Sequence, residues 1–351
     1  MKNNILTPIK WTGCKRTQAD RIIAQMPNEI PSYCELFLGS GAVMLKLMSD
    51  YPEKLKNCKH VIASDTNADL ITMWKLIKDN PDKLIEFYAK EWKERNTYLG
   101  KLQPENNEGD MVNHRNSHYY ALRDKYNEHY LKGTEEGAME LMTLLAFNFN
   151  GLVRYGKKGF NAACMPVVPG MNPDNKKDII TRCHELVSKY NVEFINSSYD
   201  TFFIPIGSTI YLDPPYKMFL KENASGIYNA DDFNLDKFYE WCDEVSETCN
   251  VLVSFDGGTA GDEGFLESKG WSKITNDTGT SKFRRQMSRT REPNKSLKTK
   301  ESLYIRKINN DEEYKSIWQC IFSQSRLLGP ISDKLEITDK IYECKEKRNS
   351  I

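Results

Sequence analysis

Residues 210–217 read Ile-Tyr-Leu-Asp-Pro-Pro-Tyr-Lys, placing a carboxylate, two prolines and an aromatic ring directly after a short apolar run. Proline has no N–H for a sheet ladder, so Pro214 and Pro215 end the strand. Asp213 to Tyr216 then sit at the carboxyl edge of a sheet, where open α/β folds hold their ligands. An exocyclic amine on a nucleobase is a weak nucleophile, because its lone pair is delocalised into the ring. Asp213 and the Pro214 carbonyl can accept the two amine hydrogens and localise that pair, with proline fixing the direction of the carbonyl. The Tyr216 ring can hold the base by stacking, worth about 1–3 kcal/mol.

A second constellation lies upstream. Glu-Leu-Phe-Leu-Gly-Ser-Gly-Ala (35–42) puts Gly39 and Gly41 between an apolar run and a helical pattern, where glycine permits a sharp turn and close ligand approach. The third glycine of a dinucleotide fingerprint would fall at 44, which is Met44. Asp65 ends the next apolar run, the place for an acid that accepts hydrogen bonds from ribose hydroxyls. Together these features point to a nucleoside cofactor without a pyrophosphate. S-adenosylmethionine fits that better than NAD.

The elements that must position these residues follow from periodicity. Strands are expected at 33–38, 60–64, 192–197, 209–213 and 250–255, with a final pair at 270–275 and 302–308. The opening strand–helix–strand–helix order predicts a parallel α/β sheet. Between 82 and 147, Leu84, Tyr88, Trp92, Tyr119, Leu122, Tyr126, Met139 and Met142 fall at helical spacing in charged surroundings, with a polar loop over 100–110. The reading is a catalytic domain from 1–80 and 181–309, a helical insertion at 81–180 and a C-terminal appendage at 310–351.

The 351 residues balance 49 basic against 49 acidic side chains, so net charge says nothing about partners. Its distribution does: residues 282–307 carry ten Lys and Arg against Glu292 and Glu301, a local +8 that suits phosphates. Nine scattered cysteines without a CxxC argue for reduced thiols and against a disulfide framework or zinc site. His114 and His118 are four apart on a helical pattern, but no third ligand is in view, so they read as surface histidines and no metal is expected. No apolar run reaches membrane-spanning length, and a cytoplasmic protein is expected.

In their order along the chain these motifs resemble the Dam-type (D12 class) N6-adenine DNA methyltransferases, above all members from phages and restriction-modification systems. Pro-Ile-Lys-Trp-Thr-Gly-Cys-Lys (8–15) is similar to the family's N-terminal motif, 35–41 to its methionine pocket and 63–71 to its ribose-binding segment. Residues 147–161, FNFNGLVRYGKKGFN, look like its target-recognition element, and 211–216 like its catalytic motif. SFDGG (254–258) and residues 280–305 match the phage-type members. The resemblance implies a Rossmann-like S-adenosylmethionine-dependent sheet with a helical target-recognition insertion, methylating a flipped adenine in double-stranded DNA. It implies catalytic roles for Asp213, Pro214, Pro215 and Tyr216. Cofactor contacts are implied for Trp11, Lys15, Glu35, Phe37, Gly39, Gly41, Asp65, Asp213 and, with its register one residue off, Asp200. DNA contacts are implied for Asn150, Leu152, Arg154, Tyr155, Lys157, Lys158, Arg284 and Arg285.

Read from the residues themselves, Arg154 can make a bidentate contact to a guanine edge. Phe149, Leu152 and Tyr155 are candidate wedges, and Phe147 and Phe149 equally suit a core. Cys14 stands where the family has glycine or serine, and Asn-Ala-Ala-Cys-Met (161–165) departs from its usual continuation, so a GATC-like site is only a first guess. The alternatives keep the cofactor but change the acceptor to RNA or a protein amide, or make the chain an inactive DNA-binding relative. A monomer or weak dimer is expected.

Overall fold

The described strands are β1 (Ser32–Glu35), β2 (His60–Asp65), β3 (Tyr155–Gly156), β4 (Gly159–Phe160), β5 (Glu193–Asn196), β6 (Thr209–Leu212), β7 (Asn250–Asp256), β8 (Ser272–Thr280) and β9 (Lys298–Arg306). The helices are α1 (Ala19–Ala24), α2 (Ala42–Asp50), α3 (Ala68–Asp79), α4 (Pro81–Asn96), α5 (Asn107–Asn127), α6 (Glu135–Phe147), α7 (Pro173–Lys189), α8 (Leu235–Val245) and α9 (Phe265–Ser268). They come from a computed structural model that describes residues 6–97, 107–156, 158–201, 203–215, 233–256, 264–280 and 298–308. The chain divides into two units, Met1–Lys307 and Ile308–Ile351; beyond Ile308 the second lies outside the described residues.

Seven strands form one sheet in the order β5-β2-β1-β6-β7-β9-β8. The first four pairings are parallel, and β9 runs antiparallel to both β7 and β8. The chain builds outward from β1 to β2 and β5, then returns to β6 and β7 on the other side. The reversal between β1 and β6 is the topological switch point at which such sheets open a ligand crevice.

Alternation along the strands divides the core. Tyr33, Tyr211, Leu252 and Leu303 join one apolar cluster with α1 to α7. Cys34, Ile210, Val251 and Tyr304 face the other way, into a cluster with α8 and α9. A period of two on strands covered on both faces is what an α/β sandwich requires.

Among the described residues, the helical layer between β2 and β5 forms no separate core. Leu84, Tyr88, Tyr119, Leu122, Tyr126 and the buried face of α6 belong to the cluster that also holds α2, α3 and α7. Helix α7 runs unbroken through the boundary expected at 180–181. The loop expected over 100–110 is corrected at its end, since α5 already includes Asn107 to Asp110. Gly109 and the polar residues around it hid that first turn, and the buried positions of α5 begin only at Tyr119. Asn67 and Thr134 cap α3 and α6, their side chains accepting from Leu70 N and Gly137 N. None of the described helices is long and apolar enough to cross a membrane.

Candidate active site and nucleic-acid interface

Three carboxylates converge on the carboxyl edge of the sheet. Glu35 ends β1, Asp65 ends β2 and Asp213 follows β6. Lys15, on the loop that precedes α1, reaches this edge, and its Nζ donates to Asp213 Oδ2 at 2.8 Å and to the Gly13 carbonyl at 3.0 Å. The lysine side chain is 4% exposed and the aspartate 20%, so the pair sits at the lip of the crevice with Asp213 on the wet side. An ionised aspartate only accepts hydrogen bonds, which is what an amine N–H needs opposite it. Pro214 behind it is buried and Pro215 half-buried.

Asp65 ties two turns together, accepting from Gly39 N with Oδ2 and from Asn67 N with Oδ1, both at 3.0 Å. Burial pushes its carboxyl up, while the N–H groups of Asn67, Gly39 and Thr66 pull it back. Gly39 and Gly41 are left-handed, at φ +47° and +64°, and the space beside them belongs to two tryptophans. A Cβ on Gly39 would lie 2.9 Å from Trp11 Cδ1, and one on Gly41 2.7 Å from Trp74 Cζ2. The sequence explains these glycines by ligand approach; the structure adds that the protein's own indoles already demand them. Trp74 Nε1 also donates to the Gly39 carbonyl at 3.2 Å.

Glu35 is buried, and the Tyr33 hydroxyl donates to it at 2.7 Å. Burial pushes its carboxyl up to about 8 and the charge of Asp213 adds to this, against hydrogen bonds from Tyr33 and the Met44 backbone. Phe37 is half-buried in a ring cluster, stacked on Tyr199 at 5.7 Å and edge-on to Phe238 at 5.8 Å. Asp200, next to Tyr199, is exposed on the turn after β5.

The segment 147–165 folds back on itself. Phe149 N donates to the Ala163 carbonyl at 3.0 Å and Asn161 N to that of Arg154 at 2.8 Å, with β3 and β4 at the tip. Its base rests on the N-terminal loop: Val153 N donates to Thr12 Oγ1 at 3.4 Å, and a Cβ on Gly151 would come 2.3 Å from Lys10 Cβ. Val153 and Tyr155 turn inward and Arg154 outward, the ordinary alternation of an extended chain. Asn150, Arg154 and Lys158 are exposed, Leu152 is half-buried and Phe149 is 39% exposed. Tyr155 is 6% exposed, its ring stacked on Tyr130. It forms part of the packing under the hairpin rather than a surface wedge. Phe147 is fully buried, as a core residue.

The matches to known proteins run over this same frame. A model of the D12 class N6 adenine-specific DNA methyltransferases matches residues 11–253, from Trp11 past β6 into β7. The chain belongs to that family. It is 31% identical over 255 residues to the type II methyltransferase M.MjaIII of Methanocaldococcus jannaschii, covering 67% of this chain and 80% of the relative. It is 27% identical to the DNA adenine methylase of Haemophilus influenzae over 310 residues, 85% and 92% of the two chains. To the DNA N-6-adenine-methyltransferase of Escherichia phage P1 it is 25% identical over 231 residues, 65% of this chain and 26% of the phage protein.

The protein is therefore an adenine-specific DNA methyltransferase. Tyr216, Lys157, Arg284 and Arg285, singled out in the sequence, lie outside the described residues of this methyltransferase. Arg306, grouped with the basic window, instead ties the end of β9 to α8, its Nη1 donating to Asp243 Oδ1 at 2.6 Å.

Several contacts were not legible in the sequence. His118 does have acidic neighbours: its Nε2 lies 2.9 Å from Glu91 Oε2, with Glu94 close by. Lys90 supplies positive charge there, 3.9 Å from Glu91 and 3.8 Å from Glu94. The fully buried Arg95 donates to the carbonyls of Met165 and Val168 at 3.0 and 3.1 Å and lies over the Phe147 ring. With Asn96, which donates to Pro169, it holds the chain after the hairpin to α4.

Proposed function

We propose that this methyltransferase uses S-adenosylmethionine, bound between the Gly39–Gly41 turn and Asp65, and methylates N6 of an adenine flipped out of duplex DNA against Asp213. The observation that carries the reading is Asp213 at the switch point, fastened to Lys15 and beside two further carboxylates. When bound, the cofactor supplies a methyl group on a sulfonium, and it brings positive charge to an edge rich in carboxylates. Glu35 suits its ammonium group, because a buried carboxyl held by a hydroxyl gains most from a cation. Asp65 accepts from ribose hydroxyls with lone pairs left over from its two backbone donors. Trp11, Phe37 and Asp200 are assigned to the walls of the same pocket, Asp200 at its adenine end.

Asp213 and the Pro214 carbonyl accept the two N6 hydrogens and aim the lone pair, and Pro215 and Tyr216 complete the binding of the flipped base. After transfer the extra N6 proton leaves past Asp213. Incubating the protein with labelled S-adenosylmethionine and duplex DNA, then mapping modified adenines by single-molecule sequencing, tests the reading. Transfer to RNA or protein but not to duplex DNA would overturn it.

Arg154 is the base reader in this proposal, with Asn150, Leu152 and Lys158 beside it, and Lys157, Arg284 and Arg285 hold phosphates. Bidentate base contacts discriminate by about 1–3 kcal/mol, whereas phosphate contacts add affinity that fades with salt. Arg154→Ala is expected to relax the methylated motif at one guanine and leave the salt dependence nearly unchanged. Mapping that returns the wild-type motif at full stringency removes Arg154 from the role.

The raised carboxyl of Glu35 makes a second prediction. The free protein keeps this proton up to about pH 8, and a cation seated beside it expels the proton. Affinity for S-adenosylhomocysteine should therefore rise with pH toward about 8 and level off above it. In Glu35→Gln this rise is expected to disappear, leaving only the fall as the ligand's own ammonium loses its proton. Stability runs the opposite way: from the ordinary value of 4.5 up to about 8 the folded state holds a proton the unfolded chain has released, so stability falls across that window. Superimposable pH profiles for the two proteins would remove Glu35 from the ammonium site.

A further inference from the structure

The recognition hairpin and the cofactor turn are joined by an unbroken hydrogen-bonded chain. Asn67 N donates to Asp65 Oδ1, Asn67 Oδ1 accepts from Leu70 N, and Asn67 Nδ2 donates to the Tyr155 hydroxyl at 3.2 Å. The direction of the amide is settled by its cap, since its oxygen is already committed to α3. Tyr155 and Tyr126 hydroxyls lie 3.2 Å apart, and Tyr126 donates to the fully buried Asp69 at 2.8 Å. Each hydroxyl has one proton, so Tyr155 donates to Tyr126 and accepts from Asn67. Asp69 also takes Leu131 N at 2.6 Å and Gly133 N at 2.8 Å, anchoring the far end. Burial pushes the Tyr155 hydroxyl up to about 12, so it keeps its proton near neutral pH.

Tyr155 immediately follows the exposed Arg154, and Asn67 is two residues from Asp65. The turn that receives the ribose is thus the same turn on which the hairpin is hooked. We propose that Tyr155 is a positioning residue for DNA recognition: its hydroxyl fixes the Arg154 hairpin to the Asp65–Asn67 turn, so that cofactor and cognate DNA strengthen each other's binding. The coupling half of this rests on Asp65 being the ribose acceptor. Equilibrium coupling is reciprocal, which gives an internal check: each ligand must tighten the other by the same factor.

The test measures S-adenosylhomocysteine affinity with and without duplex DNA carrying the mapped motif, and DNA affinity with and without S-adenosylhomocysteine. Wild type is expected to show a mutual tightening of about fivefold or more. Tyr155→Phe keeps the ring against Tyr130 and Phe160 but loses the hydroxyl, and Asn67→Ser keeps a capping oxygen but is too short to reach Tyr155. Each is expected to bring the coupling factor within about twofold of one and to loosen motif stringency. The double variant should be no worse than either single, since both cut one link. Wild-type coupling and stringency in Tyr155→Phe, even with a lowered melting temperature, would reduce Tyr155 to packing and overturn the proposal, as would a wild-type protein with no coupling. Asp65→Ala separates the two readings. Unchanged cofactor affinity there sinks the ribose assignment, while the Asn67–Tyr155 cycle on DNA affinity and stringency alone still judges the hook.

Discussion

Asp213→Asn is expected to lose methylation by about 10²–10³-fold while melting close to wild type, and Asp213→Ala to lose both activity and some stability. Removing one preorganised hydrogen-bonding group from a transition state typically has that kinetic effect. The two variants differ because of Lys15. Its ammonium is almost wholly buried and rests on Asp213 at 2.8 Å. Alanine takes the carboxylate away from it while the Gly13 carbonyl stays, and stripping one member from a buried pair costs up to about 3–5 kcal/mol. Asp213 is partly wet, which sets the cost below that limit. Asparagine keeps an oxygen for Lys15, so the loop before α1 stays in place. It also puts an N–H where the adenine amine needs an acceptor. Single-turnover methylation and thermal melting of both variants check this. An asparagine variant with more than about a tenth of wild-type rate, a barrier change under roughly 1.4 kcal/mol, would remove Asp213 from the reaction.

The strands and the catalytic edge were readable for physical reasons. A buried parallel strand needs an unbroken apolar run, and Pro214-Pro215 can only stand where the ladder stops, so the run 209–212 and its end were both written in residue types. The period of two in Val153-Arg154-Tyr155 was equally present in the sequence. It places Tyr155 with Val153 on the inner face, but aromatic identity drew attention to a surface role instead. Contacts between distant segments leave no local trace. Lys15 and Asp213 are 198 residues apart, and only the family resemblance, which puts both at the cofactor, brings them near each other. His118 meets Glu91 only because α4 and α5 pack side by side. A helix start such as Asn107–Asp110 was obscured because a glycine in polar company usually marks a loop.

Asp69→Ala is expected to be the most destabilising of the substitutions considered, by about 3–5 kcal/mol. The side chain is fully buried and gathers three donors, Tyr126 Oη from the last turn of α5, and Leu131 N and Gly133 N from the segment that joins α5 to α6. Its position in the first turn of α3 favours a carboxylate, because the helix N-terminus presents partial positive charge. Alanine takes the acceptor from one buried donor, the Tyr126 hydroxyl, and from the N–H groups of the half-buried Leu131 and Gly133, each worth up to about 1–3 kcal/mol when orphaned and not fully additive. Asparagine keeps the volume and one acceptor but turns an N–H toward a donor, and is expected to cost roughly half as much. The order aspartate, asparagine, alanine should appear in the urea midpoint, with the unfolding slope unchanged if the fold is otherwise kept. Because Tyr126 passes its contact to Tyr155, Asp69→Asn should also loosen motif stringency at a temperature where the protein is still fully folded. Equal midpoints for Asp69→Ala and wild type would mean that water replaces the carboxylate, and the buried site would then have to be wet.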